Sequence, residues 1–313
     1  MGYWVQMESK LKIDAPINIL VQRRGAIGDV ILTTGVVRQL KLNYGKNAAI
    51  DIATDCAEVY RNNPHIRNVF PVDQCPVANN WDLFINLDDA YENNPENNYV
   101  VSYFYRTFGN KYSTLNFASE LFPTNEDKTK VKTFKNSHEL DKYIVVHMRN
   151  WHWQAKNISM DVWMDTFVKL FEITTNFKIV CVGADTDHFI EEHPLFVDAR
   201  SAFNVQQLKH LCDTAACFVG IDSAPYHCAS ASNTHIIALL THLLPERILP
   251  FRKFDFANNA TAMQTLEDCA GCNDRQQRPI RSIVCEKTSY PCVNNFDTSA
   301  IASAILGTLN ENI

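Results

Sequence analysis

The sequence contains no hydrophobic run long enough to cross a bilayer. Its most apolar stretch, His235 to Leu244, spans 10 residues, about half of the roughly 20 that a transmembrane helix needs. No cationic start leads into an apolar signal core, so no export signal is recognisable. There is no basic excess either: the net charge is −6 and the pI is near 5.9. That balance argues against generalised attraction to nucleic acid or an anionic membrane and leaves only a local basic patch to serve such partners. Ten cysteines are present, but six lie outside any cluster and no export signal accompanies them, so reduced thiols are expected. The expectation is a soluble, cytoplasmic monomer without a transmembrane segment.

What the chain does have is a repeated alternation of short β-branched runs and helical patterns. At 313 residues and 46% hydrophobic content it can bury one large core or two medium ones, and two domains are expected. In the first half, strands are predicted at Ile17 to Val21, Ala48 to Thr54, Asn68 to Asp73 and Trp81 to Asp88. In the second half they fall at Tyr143 to Met148, Phe177 to Gly183, Ala216 to Gly220 and His235 to Leu240, with helices at Met160 to Thr174, Val205 to Thr214 and Ala224 to Ala231 between them. Strands separated by helices imply parallel βαβ units with right-handed crossovers. The predicted class is α/β, with two doubly wound Rossmann-like domains over residues 1–138 and 139–313, the polar Pro123 to His138 stretch serving as linker. Met1 to Pro16 reads as a loosely held leader and Asp89 to Asn98 as a loop. Eight aromatic residues lie among the 24 from Tyr99 to Phe122, a pattern for helical core packing or for an aromatic acceptor platform.

Three stretches can carry chemistry. In Ile17 to Leu40, a strand meets a turn marked by Gly25 and Gly28 and then a helix. Such a turn presents unpaired N–H groups at the positive end of a helix dipole, a ready anion site. Asp29 can either stabilise the first helical turn or face a cleft as a general base. In Phe218 to Ala231, another strand, loop and helix place Asp222 and Ser223 at a helix start, where they either cap the helix or help to hold two phosphates. In His147 to Trp163, Lys156 is either a solvated lysine or a point charge for an anion, Arg149 can assist it, and Trp151, His152 and Trp153 can stack a base or sugar or simply pack.

The run Arg23-Arg-Gly-Ala-Ile-Gly-Asp-Val-Ile-Leu-Thr-Thr34 resembles the opening motif of the heptosyltransferase family (glycosyltransferase family 9), whose founding members build the inner core of lipopolysaccharide. Asn63 to Phe70 is similar to that family's Asn-Pro-x-Ile-Asp-x-Val stretch. Asp222-Ser-Ala-Pro-Tyr-His227 resembles its Asp-[Ser/Thr]-Gly-Pro-x-His signature, with Ala224 in place of glycine. The resemblance implies a GT-B arrangement of two domains across a cleft and an ADP-linked sugar donor. It implies that Asp29 is the catalytic base and that Lys156 neutralises the leaving diphosphate. Gly25, Gly28, Asp185, Asp222, Ser223, Ala224 and His227 would then bind the donor, with Arg149, which is not a family position, as a further donor-binding candidate. At Ala224 the side chain is strained and crowds a diphosphate if φ is positive. His227 is a structural histidine or a neighbour of the donor phosphates. The Asp185-x-Asp187 pattern is expected to cap a helix and touch a ribose rather than chelate a metal.

Cys269, Cys272, Cys285 and Cys292 form the one cysteine cluster with ligand-like spacing. The residues leave structural zinc, reduced thiols and a disulfide all open. Arg275, Arg278, Arg281 and Lys287 interleave with them as the most basic local patch. The function expected is inverting transfer of a heptose-like or pentose sugar, with no cofactor required for catalysis, to a hydroxyl of a lipopolysaccharide-core-type glycan or glycolipid. One alternative is transfer to hydroxymethylated bases of DNA, suggested by Arg275 to Arg281 and by Lys128, Lys130, Lys132 and Lys135. Another is a nucleotide-sugar-binding protein that has lost activity.

Overall fold

The computed structural model describes residues 16–76, 81–94, 97–252, 255–275 and 285–311, with the side chains of 112–114 and 311 excepted. Strand β1 (Ile17–Gln22) leads through the glycine turn into α1 (Ile27–Tyr44) and back to β2 (Ala48–Ala53). With β3 (Asn68–Phe70) and β4 (Leu83–Asn86) they form a parallel sheet of order β3-β2-β1-β4. Between β2 and β3 the chain makes a single 3-10 turn at Ala57–Tyr60. Helix α1 is buried almost all round from Gly28 to Leu40, because it packs on its own sheet, on α2 (Tyr99–Phe108) and on the second half of the chain. A helix covered on every side has little use for a polar face, which explains its apolar sequence.

The second sheet is built from β5 (Tyr143–Val146), β6 (Lys178–Cys181), β7 (Phe196–Asp198), β8 (Cys217–Gly220), β9 (His235–Leu240) and a last strand. That last strand, β12 (Ala260–Gln264), follows a small hairpin of β10 (Phe251–Arg252) and β11 (Asp255–Phe256). The order β12-β9-β8-β5-β6-β7 is parallel throughout, the doubly wound arrangement with its reversal between β5 and β8. Strand β5 shows why its sequence is continuously apolar: Tyr143 and Val145 enter one core, Ile144 and Val146 the other, so neither face meets water. Each such aliphatic side chain contributes about 1.5–3 kcal/mol by its burial.

The remaining helices are α3 (Asn125–Ser137), α4 (Met160–Phe171), α5 (Val205–Cys212), α6 (Ala224–Ser230), α7 (Pro245–Ile248), α8 (Cys272–Arg275) and α9 (Thr298–Glu311). Two expectations change here. The stretch read as a linker is α3, closed by a capping box between Thr124 and Asp127 and tied to α5 where Gln207 donates to Asp127 at 2.9 Å. Strands β7 and β12, too short and too mixed to stand out, extend the second sheet at both edges. The aromatic-rich segment is largely core: Tyr99, Tyr103, Phe104 and Phe117 are buried.

The two halves share one hydrophobic cluster that runs from β1 and α1 to α6 and Leu249. Gln206 reinforces it, donating from a fully buried amide to the carbonyls of Glu58 and Val59 at 3.2 and 3.1 Å. The ends of β1 and β4 thereby face the ends of β5 and β8.

Candidate active site

In an open parallel sheet, ligands sit beyond the carboxyl ends of the strands where the order reverses. Here there are two such places. In the first sheet the reversal lies between β1 and β4, so the segments starting at Arg23 and Leu87 line it. In the second it lies between β5 and β8, so the segments starting at His147 and Ile221 do. All three motifs fall at these points.

On the first side, Asp29 occupies the opening turn of α1 and accepts the N–H of Ala26 at 3.2 Å. It also pairs with Arg23 Nη2 at 2.9 Å, and Arg23 reaches Glu92 at 3.4 Å. Asp29 is therefore a cap of α1 and the partner of a buried arginine at once. Burial opposes the charge of Arg23, but Tyr103, Asp29, Glu92 and Tyr91 outweigh it and hold the guanidinium protonated. Its ring neighbours Tyr91 and Tyr103 lie within 5.3 and 5.5 Å. Arg23, Glu92 and Tyr103 were not singled out from the sequence. The available signal is position alone, since Arg23 directly follows β1.

On the second side, Lys156 reaches across from the 3-10 turn Gln154–Lys156 to the Asp222 carboxylate, both buried, and approaches the Asp222 carbonyl at 3.4 Å. His227 Nε2 lies 3.0 Å from the other oxygen of Asp222. Burial alone would raise the Asp222 pKa; Lys156 and His227 reverse this and hold the carboxyl far below its usual range. Lys156 is thus neither solvated nor isolated, and the Trp153 ring lies 5.2 Å from its ammonium. Trp151 is exposed, while Trp163 belongs to the core under α4. Arg149 is partly buried with its Nε lacking a partner, and burial lowers its pKa against the attraction of Asp222 and Asp187.

The first and second motifs meet directly. A Cβ on Gly28 would lie 2.5 Å from Cδ2 of His227, so the second glycine of the first motif makes room for the histidine of the second. Gly25 has no such constraint, its Cβ position being an ordinary 3.7 Å from Cys56 Sγ. Ser223 caps α6 through the N–H of Tyr226 at 3.4 Å. Ala224 is the first helical residue, outside the positive-φ positions, so alanine is unstrained there.

The Asp185-x-Asp187 segment departs from expectation, since no helix follows it. The chain runs through turns to β7, and Asp187 folds back on its own loop, accepting the N–H groups of Ala184 and Asn150 at 2.7 and 2.8 Å. Its other partner is His147, at 3.0 Å. Asp185 is exposed. His242, after β9, is a further buried group beside the cleft. Burial, together with Lys156, pushes its pKa down to about 3, so the ring is neutral.

In the cysteine region no disulfide is present among the described residues. Burial first, then Cys269, Cys285 and Cys272, push the Cys292 thiol up to about 12. The tighter grouping is Glu267, Asp268 and Cys269, whose two carboxylates already bind Lys287. Arg278 and Arg281 lie outside the described residues. Among the described residues no helix is long and apolar enough to cross a membrane.

The comparisons with known proteins agree with this geometry. Residues 188–279 match the family model described as glycosyltransferase family 9 (heptosyltransferase). No curated protein matches the chain. Among solved structures, the chain is similar to a family 9 glycosyl transferase from Veillonella parvula, with a TM-score of 0.71 at 16% identity over 97% of this chain and 100% of that one. It is also similar to the ADP-heptose LPS heptosyltransferase II of E. coli, with a TM-score of 0.63 at 12% identity over 95% and 99%. A third likeness is to TibC of enterotoxigenic E. coli, an iron-containing dodecameric glycosyltransferase, with a TM-score of 0.67 at 13% identity over 96% and 80%. TibC has also been solved in complex with ADP-D-beta-D-heptose. The resemblance to the heptosyltransferase family is thus supported over residues 188–279, and the two-sheet GT-B fold over nearly the whole chain.

Proposed function

We propose that this protein transfers a heptose-like sugar from an ADP-linked donor to a hydroxyl of a lipopolysaccharide-core-type glycan, with inversion and without a catalytic metal. The observation that carries the reading is the facing pair of strand reversals, one ending in the Asp29 carboxylate and the other in the Lys156, Asp222 and His227 cluster. Residues 1–138 would hold the acceptor and 139–313 the donor. Asp29, steadied by Arg23 and the N–H of Ala26, takes the proton of the acceptor hydroxyl as it attacks. Lys156, Arg149 and the N-terminus of α6 stabilise the charge that grows on the departing diphosphate. One displacement with no covalent intermediate inverts the anomeric centre.

The nucleic-acid alternative draws on Lys128, Lys132 and Lys135, which line an open groove of about 840 Å³ with His210 and Thr214. At Asp29, however, one arginine stands between two carboxylates, a net negative wall that repels phosphate. The binding-only alternative loses its main support, since Ala224 is unstrained. A four-thiolate zinc site is not assigned: among the described residues the grouping close enough to hold an ion is Glu267, Asp268 and Cys269, not Cys269, Cys272, Cys285 and Cys292.

The test is incubation with ADP-heptose and a purified core glycan in the presence of EDTA, reading ADP release and the anomeric configuration of the product by NMR. An inverted product formed with EDTA present is expected. A retained configuration, or release of ADP without glycan product, defeats the reading.

A further inference from the structure

A buried chain of hydrogen bonds beside Asp222 supports a conclusion that rests on the donor-site reading above. His147 follows β5, Ser223 caps α6 and Asp187 lies in the loop after β6, and all three are less than a tenth exposed. The imidazole Nδ1 lies 2.9 Å from Ser223 Oγ, and Nε2 lies 3.0 Å from Asp187 Oδ2. Two glycines make the space. A Cβ on Gly183 would overlap Asp187 and come within 2.8 Å of His147 Cδ2, and one on Gly220 would lie 3.3 Å from His147 Cβ. Gly183 also has a φ of +132°, a conformation that side chains disfavour.

Proton positions follow from the partners. The Asp187 carboxylate already accepts two backbone N–H groups. Burial opposes its charge, but His147 and those N–H groups outweigh this and hold its pKa below the usual range. A carboxylate only accepts, so Nε2 of His147 carries a proton. Burial lowers the His147 pKa, with Arg149 adding to it and Asp187 opposing. Gly183 and Gly220, which flank the ring, bring no side-chain charge. In the neutral ring Nδ1 is bare, and the Ser223 hydroxyl must donate to it. Ser223 Oγ meanwhile accepts the Tyr226 N–H. The serine can then offer the cleft only a lone pair, the wrong partner for a phosphate oxygen.

We infer that His147 is a positioning residue for the leaving diphosphate: as the donor binds, it takes a proton from solvent at Nδ1, becomes a donor to Ser223 Oγ, and frees the Ser223 hydroxyl proton to bond a diphosphate oxygen. The only covalent changes are the new Nδ1–H and the bond to that proton that breaks in the hydronium or buffer acid that gives it up. The diphosphate supplies the driving force, since its charge neutralises Arg149, the cation that opposes an imidazolium, and attracts the imidazolium itself. Asp187 holds the ring in place through Nε2.

The experiment is calorimetric titration of the full chain with ADP in buffers of differing ionisation enthalpy, with ¹⁵N NMR of the histidines before and after binding. Wild type should show the Nε2–H tautomer when unliganded and take up as much as one proton per ADP over the pH interval between the unliganded and the ADP-bound His147 pKa values, with uptake vanishing on either side of it. His147→Asn places an amide N–H near the Nδ1 position, so ADP binding should persist with proton uptake near zero and a flat pH profile. Ser223→Ala should weaken ADP binding about 10- to 100-fold, the scale of one hydrogen bond to a charged group. ADP binding to wild type without proton uptake, or an Nδ1–H tautomer in the unliganded protein, overturns the inference while leaving the donor site intact. Failure of both ADP and inorganic pyrophosphate to bind wild type overturns the donor reading and the inference with it.

Discussion

The two strand reversals that face each other are built alike and charged differently. Each is a strand end, a short loop and the N-terminus of a helix, yet one presents Asp29 and Glu92 around Arg23, and the other Lys156 and Arg149 against Asp222 and Asp187. The helix ends α1 and α6 would favour anions equally. The difference therefore comes from side chains. A carboxylate in the first turn uses the N-terminal field of α1 and keeps a phosphate away. The hydroxyl cap of α6 leaves its field available to an incoming anion. On the proposed reading, one scaffold supplies a base on one wall and a leaving-group site on the other.

The comparison breaks most sharply at Asp29. Asp29→Asn should lower turnover by about 10²-fold or more while ADP affinity stays within about twofold; steady-state kinetics beside calorimetry reads both, and unaltered turnover removes Asp29 as the base. On the opposite wall, Lys156→Met should weaken ADP binding and slow transfer by about 10-fold or more. It should also destabilise the fold by about 3–5 kcal/mol, because Asp222 is left buried without its cation. The Lys156→Met, Asp222→Asn double variant should recover stability in urea unfolding and not transfer. Recovery of transfer would show the pair to be structural only.

Acid should also separate the walls. Asp222 and Asp187 have folded-state pKa values below those of the unfolded chain. Their contribution is present above about pH 4 and fades as the pH falls further. His147 and His242 are likewise lowered, His242 to about 3. The unfolded chain then binds their protons first, so stability declines as the pH falls below about 6.5. Melting temperature should decrease on acidification from that point, and His242→Gln should flatten the upper part of the slope. A melting temperature constant down to about pH 4 contradicts the buried neutral histidines.

Smaller effects test the contact between the walls. Gly28→Ala should cost about 1–3 kcal/mol by pressing on His227, whereas Gly25→Ala should stay within about 0.5 kcal/mol. Equal costs would remove the claim that Gly28 seats the histidine. Smallest of all, EDTA should leave the initial transfer rate unchanged within about twofold, since the proposed mechanism routes no step through a metal Lewis acid. Loss of rate restored by Mg²⁺ defeats that.

Much of this was legible in one dimension because it is local. A strand of β-branched residues, a glycine turn and a capped helix declare themselves within about 20 residues, so β1, α1, β5, β8 and α6 fall where the pattern places them. Asp29, Asp222 and His227 stand at or just inside helix starts that the same pattern locates, and Lys156 in the loop that leads to α4. What the sequence does not contain is partnership. That Arg23 serves Asp29, that Gly28 exists for His227, and that Asp187 binds His147 rather than capping a helix depend on chain segments between about 6 and 200 residues apart. β7 and β12 are strands mainly because β6 and β9 offer them edges, and strand propensity is weak without such a neighbour. Local periodicity sets which elements form, since backbone sterics and amphipathicity act over a few residues. Protonation and hydrogen-bond direction in the cleft were decided by the tertiary structure alone, because burial and the nearest charge determine them, and both arise only when distant strand ends are brought together.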